Sequence, residues 1–217
     1  MLNVNYVKLL EQSGIFRYIT PDNYEKAADE LEITSMKYVN NQVIFRQNDK
    51  ASQLALVVSG EVKAEKIHGS GSDNMVHSYL FSNMFAHEGA ISNSRVYPMD
   101  YISDGDSQIA FIDIKKLYSS SFAKELLQGI VGYMADESIR RMYRIEIMSK
   151  KKLRDRILTY LRIKESEIGT SAFTLDISRE QLAYELCVNR SALSNELGKM
   201  QREGLISIDK RKITLSK

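Results

Sequence analysis

One cysteine, Cys187, is all the thiol that this 217-residue chain carries. An internal disulfide is therefore impossible, and a multi-cysteine zinc or iron–sulfur site is excluded from the chain itself. A single thiol fits a reducing compartment, and a cytoplasmic protein is expected. No run approaches the roughly 18 apolar residues that a membrane span needs. The first residues, Met1 to Lys8, lack a basic segment leading into a long apolar one, so neither insertion nor secretion is expected. Net charge is also nearly absent. The 30 Lys and Arg against 28 Asp and Glu leave +2, which by itself argues neither for nor against a polyanionic partner. What is present is ordinary for a folded chain: 43% hydrophobic and 27% charged residues, enough to bury a core and too little bias for disorder or collagen.

The small net charge hides an asymmetry. Residues 1–118 carry 11 basic and 15 acidic side chains, and residues 119–217 carry 19 and 13, so the two parts stand at −4 and +6. A polyanion responds to the basic lobe rather than to the chain average, and nucleic acid becomes a candidate partner for the C-terminal part. A solvated basic face is the plainer alternative.

Periodicity divides the chain at similar places. Residues 6–33 read as short helices around Thr20-Pro21-Asp22, where Thr20 suits a cap and Pro21 the first helical position. Short β-rich segments follow: Gln42–Phe45, Leu54–Val58, Val62–Ile67, Met75–Leu80 and Gln108–Ile112. Ser-Gly and Gly-Ser-Gly-Ser-Asp stretches punctuate them, and the spacing predicts a small β-barrel or jelly roll. From Ser121 to Met148 there is no proline. Leu127, Val131, Met134, Ser138, Arg141, Ile145 and Met148 follow steps of four and three, which predicts a long helix with an imperfect coiled-coil seam. Lys150-Lys151-Lys152 marks a hinge, and Leu153, Ile157, Leu158 and Leu161 give the apolar face of a further helix.

The most informative stretch is Ser178–Met200. Ser178 with Gln181 three positions on forms a capping box, so a helix starts there. Leu182, Ala183 and Leu186 supply its inner face, with Ala183 small where a second helix crosses. Cys187-Val188-Asn189 makes the turn, and Cys187 is expected to be small and buried. Asn189 caps a second helix, Arg190–Met200, in which Leu193, Leu197 and Met200 face inward. Arg190, Ser191, Ser194, Asn195 and Lys199 face outward. Short polar side chains can approach base edges in a major groove, where a guanidinium suits guanine and an amide suits adenine. Leu205–Ile208, a turn at Asp209–Lys212, and Ile213–Leu215 read as a hairpin whose tip carries Lys210, Arg211 and Lys212, cations suited to phosphate. A helix pair alone can also serve as plain packing; the capping box and the basic hairpin favour DNA binding.

With these motifs in place the chain resembles the Crp/Fnr family of bacterial transcription regulators over nearly its whole length. Phe45-Arg46-Gln47-Asn48-Asp49 and Leu54 to Lys63, with Ser59-Gly60-Glu61-Val62, resemble the family's barrel signature. Arg190 to Leu197, followed by Met200 and Glu203-Gly204-Leu205-Ile206, resembles its recognition helix and wing entry. The resemblance implies an α+β chain. An N-terminal barrel or jelly-roll sensor of the cyclic-nucleotide-binding kind would occupy residues 1–120, a dimerisation helix and hinge 121–150, and a winged helix–turn–helix 151–217. It implies a homodimer on an inverted-repeat operator, with RNA polymerase as a further candidate partner and a small effector in the barrel.

The departures limit what carries over. Relatives that bind cyclic AMP hold its phosphate with Gly-Glu and Arg-Ser pairs. Here Ala86 replaces the glycine, Tyr97-Pro98 stands for Arg-Ser, and Arg95 lies two positions early. Cyclic AMP is not expected to bind. No cysteine lies near the N-terminus for an iron–sulfur cluster. Some relatives bind haem through a barrel histidine, but His68 borders a turn and His77 lies on an alternating strand, so packed or surface roles fit His68, His77 and His87 better. A metal enzyme of the cupin kind, using these histidines and Glu88, lacks the close His-x-His pair. A regulator whose barrel serves only dimerisation or protein contact is the standing alternative. Asn195, where many relatives carry arginine, implies a changed operator, and Glu196 stands where an apolar residue is usual.

Overall fold

The computed structural model describes residues 6–67, 73–79, 82–175 and 177–216. The chain divides into two compact units whose boundary falls between Met134 and Ala135.

In the first unit, α1 (Tyr6–Gln12), a single 3₁₀ turn (Pro21–Asn23) and α2 (Tyr24–Glu30) precede the strands. Pro21 does open its turn, but the Thr20 hydroxyl caps no backbone N–H; it accepts from the Asn23 side-chain amide at 2.9 Å. Strands β1 (Thr34–Tyr38), β2 (Val43–Phe45), β3 (Gln53–Ile67), β4 (Asp73–Tyr79), β5 (Met84–Phe85) and β6 (Asp100–Asp113) form one antiparallel, jelly-roll-like sheet rather than a closed barrel. Strand β6 pairs with β1, β2 and β3, and β3 also pairs with β4 and β5. Helix α3 (His87–Ile91) lies between β5 and β6, and α4 (Ile114–Ser119) follows β6.

The two segments expected at Leu54–Val58 and Val62–Ile67 are one strand. Ser59-Gly60 is a pair of register shifts within β3 and not a turn. Gly60 has φ +80, and a Cβ there would run into the Asp106 carbonyl oxygen across the ladder, so this position demands glycine. Leu54, Ala55, Leu56 and Val57 are consecutively buried, so both faces of this part of the strand are covered. Each large apolar side chain so buried contributes roughly 1.5–3 kcal/mol.

Helix α5 (Ala123–Ser149) is the long helix expected at 121–148. Of the residues expected in its seam, Val131, Ser138, Arg141 and Ile145 are exposed, while two face the core. Leu127 and Met134 pack on the first unit's core beside buried Leu126 and Ile130. The exposed apolar stripe runs through Val131 (62% exposed), Met142 (65%) and Ile145 (70%), with Ala135 and Ser138 at the intervening positions and Ile139 beside them. Arg141 is exposed but off this stripe.

In the second unit the chain leaves α5 through the extended Lys152 and enters α6 (Leu153–Ile168), which buries Ile157 and Leu161. Strand β7 (Ala172–Thr174), α7 (Arg179–Glu185), α8 (Arg190–Arg202), β8 (Ile206–Asp209) and β9 (Lys212–Leu215) follow. The hairpin β8–β9 gains β7 as a third strand, in the order β7-β9-β8. Leu182, Ala183, Leu186, Leu193, Leu197 and Met200 form the centre of this unit's core.

Candidate nucleic-acid interface

Helix α7 starts with a complete capping box. The Ser178 Oγ accepts from the Gln181 N–H at 3.1 Å, and the Gln181 Oε1 accepts from the Ser178 N–H at 2.8 Å. The helix ends in a Schellman turn: the Cys187 N–H donates to the Tyr184 carbonyl and the Val188 N–H to the Ala183 carbonyl, both at 3.0 Å. Cys187 takes the left-handed position of that turn, with φ +51. Its side chain is exposed, contrary to the buried residue expected, because the left-handed residue of such a turn projects from the helix pair. Arg144 of α5 reaches this thiol and lies 5.7 Å over the Tyr184 ring. Burial works against the charge of Arg144, but the Cys187 hydrogen bond and the Glu185 carboxylate outweigh it and raise its pKa.

Asn189 caps α8: its Oδ1 accepts from the Ala192 N–H at 2.7 Å and from the Ser191 hydroxyl at 2.9 Å. The Ser191 proton is thus committed, which leaves that oxygen as an acceptor. Beyond the cap, α8 buries Leu193, Leu197 and Met200 and exposes Arg190, Ser191, Ser194, Asn195 and Lys199. Glu196 is accommodated by an ion pair: Arg154 of α6 donates from Nε to Glu196 at 2.7 Å and in two bonds, 2.6 and 3.0 Å, to Glu203. Glu203, then Glu196, raise the pKa of the Arg154 guanidinium. The pair fixes α6 against both ends of the second half of α8.

At the wing, Asp209 pairs with Lys212 across the ladder, and Lys210 (φ +54) and Arg211 form the two-residue tip. Lys210, Arg211 and Lys212 are exposed above buried Ile206 and Ile213. Arg190 from the start of α8 and Lys210 and Arg211 from the wing line one cleft of about 240 Å³, whereas Asn195 and Lys199 lie farther along α8, outside it. The cleft adds a residue that the sequence reading missed. Arg179, directly after the cap, lines it as well, and its Nη1 is buried without a hydrogen-bond partner. Burial lowers the pKa of this guanidinium. Its sequence signal was a cation in the first turn of a helix, where the dipole disfavours one.

The place of the family's phosphate cassette is filled differently. Ala86 is fully buried with φ +59, so it keeps a glycine-like backbone while carrying a methyl group. Tyr97 (4% exposed) stacks on Phe45 with centroids 4.2 Å apart, and its hydroxyl donates to the Gln53 carbonyl at 3.1 Å. Burial raises the pKa of this phenol. Tyr79, Phe85 and Tyr101 form a further buried ring cluster with centroids 5.4–6.2 Å apart. Arg95 turns away, donating to the Ala90 carbonyl at 2.5 Å and lying 6.0 Å over Tyr118. His87 is buried, edge-on to Tyr133 at 5.4 Å, with Nδ1 3.5 Å from a Glu88 oxygen. His68 lies outside the described residues, and of His77 only the strand position, opposite Ala64, is described. Among the described residues no group of three His, Cys, Asp or Glu is placed to hold a metal ion, and no helix is long and apolar enough to cross a membrane.

Two domain families match this chain: the cyclic nucleotide-binding domain over residues 35–120 and the Crp-like helix-turn-helix domain over residues 155–217. The transcriptional activator protein anr of Pseudomonas aeruginosa is 22% identical over 191 residues, covering 85% of this chain and 78% of its own. The global nitrogen regulator of Synechococcus elongatus is 23% identical over 212 residues, covering 88% and 89%. Among solved structures, the c-di-GMP responsive global regulator CLP of Xanthomonas campestris shares the fold with a TM-score of 0.56 at 18% identity, covering 89% of this chain and 99% of its own.

Proposed function

The chain belongs to the Crp/Fnr family of bacterial transcription regulators, and from that premise we propose that it is a homodimeric, sequence-specific DNA-binding regulator. The observation that carries this reading is α8, whose apolar side is buried while Arg190, Ser191, Ser194 and Asn195 stand exposed in one row beside a cationic wing. In this reading α8 enters the major groove, where Arg190 and Asn195 make bidentate base contacts and the two serines read short-range polarity. Lys199, Lys210, Arg211 and Lys212 hold phosphates and set the register. Residues 1–120 act as the effector-type domain, 121–150 as dimerisation helix and hinge, and 151–217 as the DNA-binding domain. The stripe Val131, Met142 and Ile145 is the face that two α5 helices share. Two-fold symmetry then requires an inverted repeat with half-sites about 10 base pairs apart, centre to centre. Footprinting on genomic fragments tests the proposal: protected inverted repeats support it, and uniform coating of every fragment overturns it.

For the first unit, the stacked Tyr97 and Phe45 and the buried Tyr79, Phe85 and Tyr101 favour a domain that needs no effector over one that holds a small molecule among its strands. An effector among those rings must displace rings already in contact, whereas one in the cleft of about 380 Å³ beside Phe45 and Tyr97 need not. A thermal-shift screen that includes cyclic AMP separates the two readings, since a ligand that binds only the folded state raises the unfolding midpoint.

A further inference from the structure

A second cleft opens in the first unit, away from the place where relatives hold a phosphate. Its walls come from β2, the loop that follows it, the first residue of β3, and Tyr97; Ala86, α3 and α5 contribute nothing to its lining. Its volume of about 380 Å³ lies in the lower part of the roughly 300–1,000 Å³ usual for small-molecule sites. Backbone bonds hold the walls in place. The Asn48 N–H donates to the Tyr97 carbonyl and the Tyr97 N–H to the Asp49 carbonyl, at 2.9 and 3.0 Å, and the Ala51 N–H donates to the Arg95 carbonyl at 2.8 Å. Part of the lining is apolar: Val43, Ile44 and Phe45 are only half-buried, and Phe45 is backed by the stacked Tyr97 ring. The Tyr97 hydroxyl is committed to the Gln53 carbonyl, so Tyr97 supports Phe45 and brings no free donor. The rest is polar. Arg46 and Lys50 are exposed, and among the described residues neither side chain is engaged in an ion pair or a hydrogen bond.

We propose that this cleft binds a small aromatic carboxylate, a ligand with one ring and one negative charge. The charges of the lining fix the charge of the ligand. Arg46 and Lys50 against Asp49 leave it at +1, which suits a monoanion; a dianion or polyanion brings more negative charge than the two cations offset beside the Asp49 carboxylate. A guanidinium takes a carboxylate in two parallel bonds, which an ammonium does not, so Arg46 is the anchor and Lys50 the supporting charge. The apolar part sets the rest of the ligand. A ring laid on Phe45 extends the stack that Tyr97 begins, and its contact there keeps water from the ion pair and strengthens it. An aliphatic acid of the same charge lacks the flat face that stacks. An uncharged ring leaves both cations to water. One ring with its acid group fits the volume, and it enters without displacing the buried rings of Phe85 and Tyr101.

The test uses the full chain and three probes at equal concentration: benzoate, which has both features, acetate, which has only the charge, and benzamide, which has only the ring. Chloride balances the ionic strength. Benzoate is expected to raise the thermal unfolding midpoint, and acetate and benzamide to leave it where chloride does. In benzoate titrations followed by NMR, Arg46→Gln is expected to weaken binding about tenfold, the loss of a charge-assisted contact. Lys50→Gln is expected to weaken it about two- to fivefold, and Asp49→Asn to tighten it by about the same factor. All three side chains are exposed, so their replacement opens no cavity. Lys37→Gln, a change of the same charge outside the cleft, is expected to alter nothing. A benzoate effect no greater than that of acetate or benzamide overturns the proposal. So does an affinity undiminished in both Arg46→Gln and Lys50→Gln, weakened in Asp49→Asn, or reduced as much by Lys37→Gln. No DNA enters the test, so its outcome is independent of the DNA-binding reading.

Discussion

Two regions of this chain, one in each unit, are built in opposite ways. In the first unit, the site that relatives line with glycine and arginine holds Ala86 and Tyr97. Tyr97 stacks on Phe45 beside a cleft of about 380 Å³ that Arg46, Lys50 and Gln53 also line, and Phe85, Tyr79 and Tyr101 pack together in the interior. In the second unit, Arg179, Arg190, Lys210 and Arg211 line a cleft, and among the described residues the buried Nη1 of Arg179 has no hydrogen-bond partner. The first interior is packed with aromatic rings; the second unit gathers cations around a cleft. Aromatic packing and clustered cationic charge are thus separated along the chain, in line with the −4 and +6 of its two parts.

The largest effect expected from breaking this contrast is in the closed interior. Phe85→Ala removes a fully buried ring that touches Phe45, Tyr79 and Tyr101, and should cost about 3–5 kcal/mol of stability. Urea unfolding followed by tyrosine fluorescence measures it. A loss under 1 kcal/mol would mean that the rings move aside readily and that the unit can open for a ligand after all.

Helix α5 carries the same contrast on its two faces. Met142→Glu places a carboxylate on the exposed stripe, and if the stripe is the dimer seam it should weaken dimerisation by roughly a hundredfold or more, because a buried charge without a partner costs several kcal/mol. Met134→Glu faces the first unit's core instead, and should lower its melting temperature while leaving the monomer–dimer constant nearly unchanged. Sedimentation at several concentrations distinguishes the two. The reverse pattern would restore the seam that the spacing alone suggested.

On the open side the expected effects are smaller and differ in kind. Asn195→Ala should cost about 1–3 kcal/mol at one base pair of each half-site and nothing on scrambled DNA. Lys210→Ala should weaken all sequences alike and reduce the slope of log affinity against log salt by about one for each subunit. Anisotropy titrations over a salt series report both. If Asn195→Ala were sequence-blind and Lys210→Ala changed base preference, the wing and not α8 would read the bases.

The helix–turn–helix was the most legible part of the sequence because its determinants are local. Ser178 and Gln181 cap within one turn, Asn189 caps the next helix, and the apolar period of α8 matches its buried face. What the sequence concealed depended on distant partners. Ser59-Gly60 reads as a turn until Asp106 approaches from β6 and makes it a bulge. Glu196 reads as a packing fault until Arg154, 42 residues earlier, pairs with it. The exposed stripe of α5 was not separable from its packed side because Leu127 and Met134 are as apolar as Val131 and Met142. Only the position of the first unit's core decides which pair it takes. The same holds for Arg179, an ordinary first-turn residue until its Nη1 is seen to be buried.

The smallest expected effect concerns Cys187, where local strain and a long-range contact oppose each other. Its φ of +51 costs a side-chain-bearing residue on the order of 1 kcal/mol relative to glycine, the residue that usually closes a Schellman turn. Cys187→Gly removes that strain. It also removes the thiol contact of Arg144, leaving that guanidinium its Tyr184 ring and the Glu185 charge. Because the thiol is exposed, its loss opens no cavity, and relief of strain should prevail by about 0.5–1 kcal/mol, partly offset by the freer unfolded chain that glycine brings. A thermal melt of the variant should therefore rise slightly, with operator affinity unchanged, since the turn keeps its two backbone hydrogen bonds and α8 its Asn189 cap. A variant that melts lower would show that the Arg144 contact outweighs the strain, and would make the thiol a structural tie between α5 and the turn rather than a tolerated substitute for glycine.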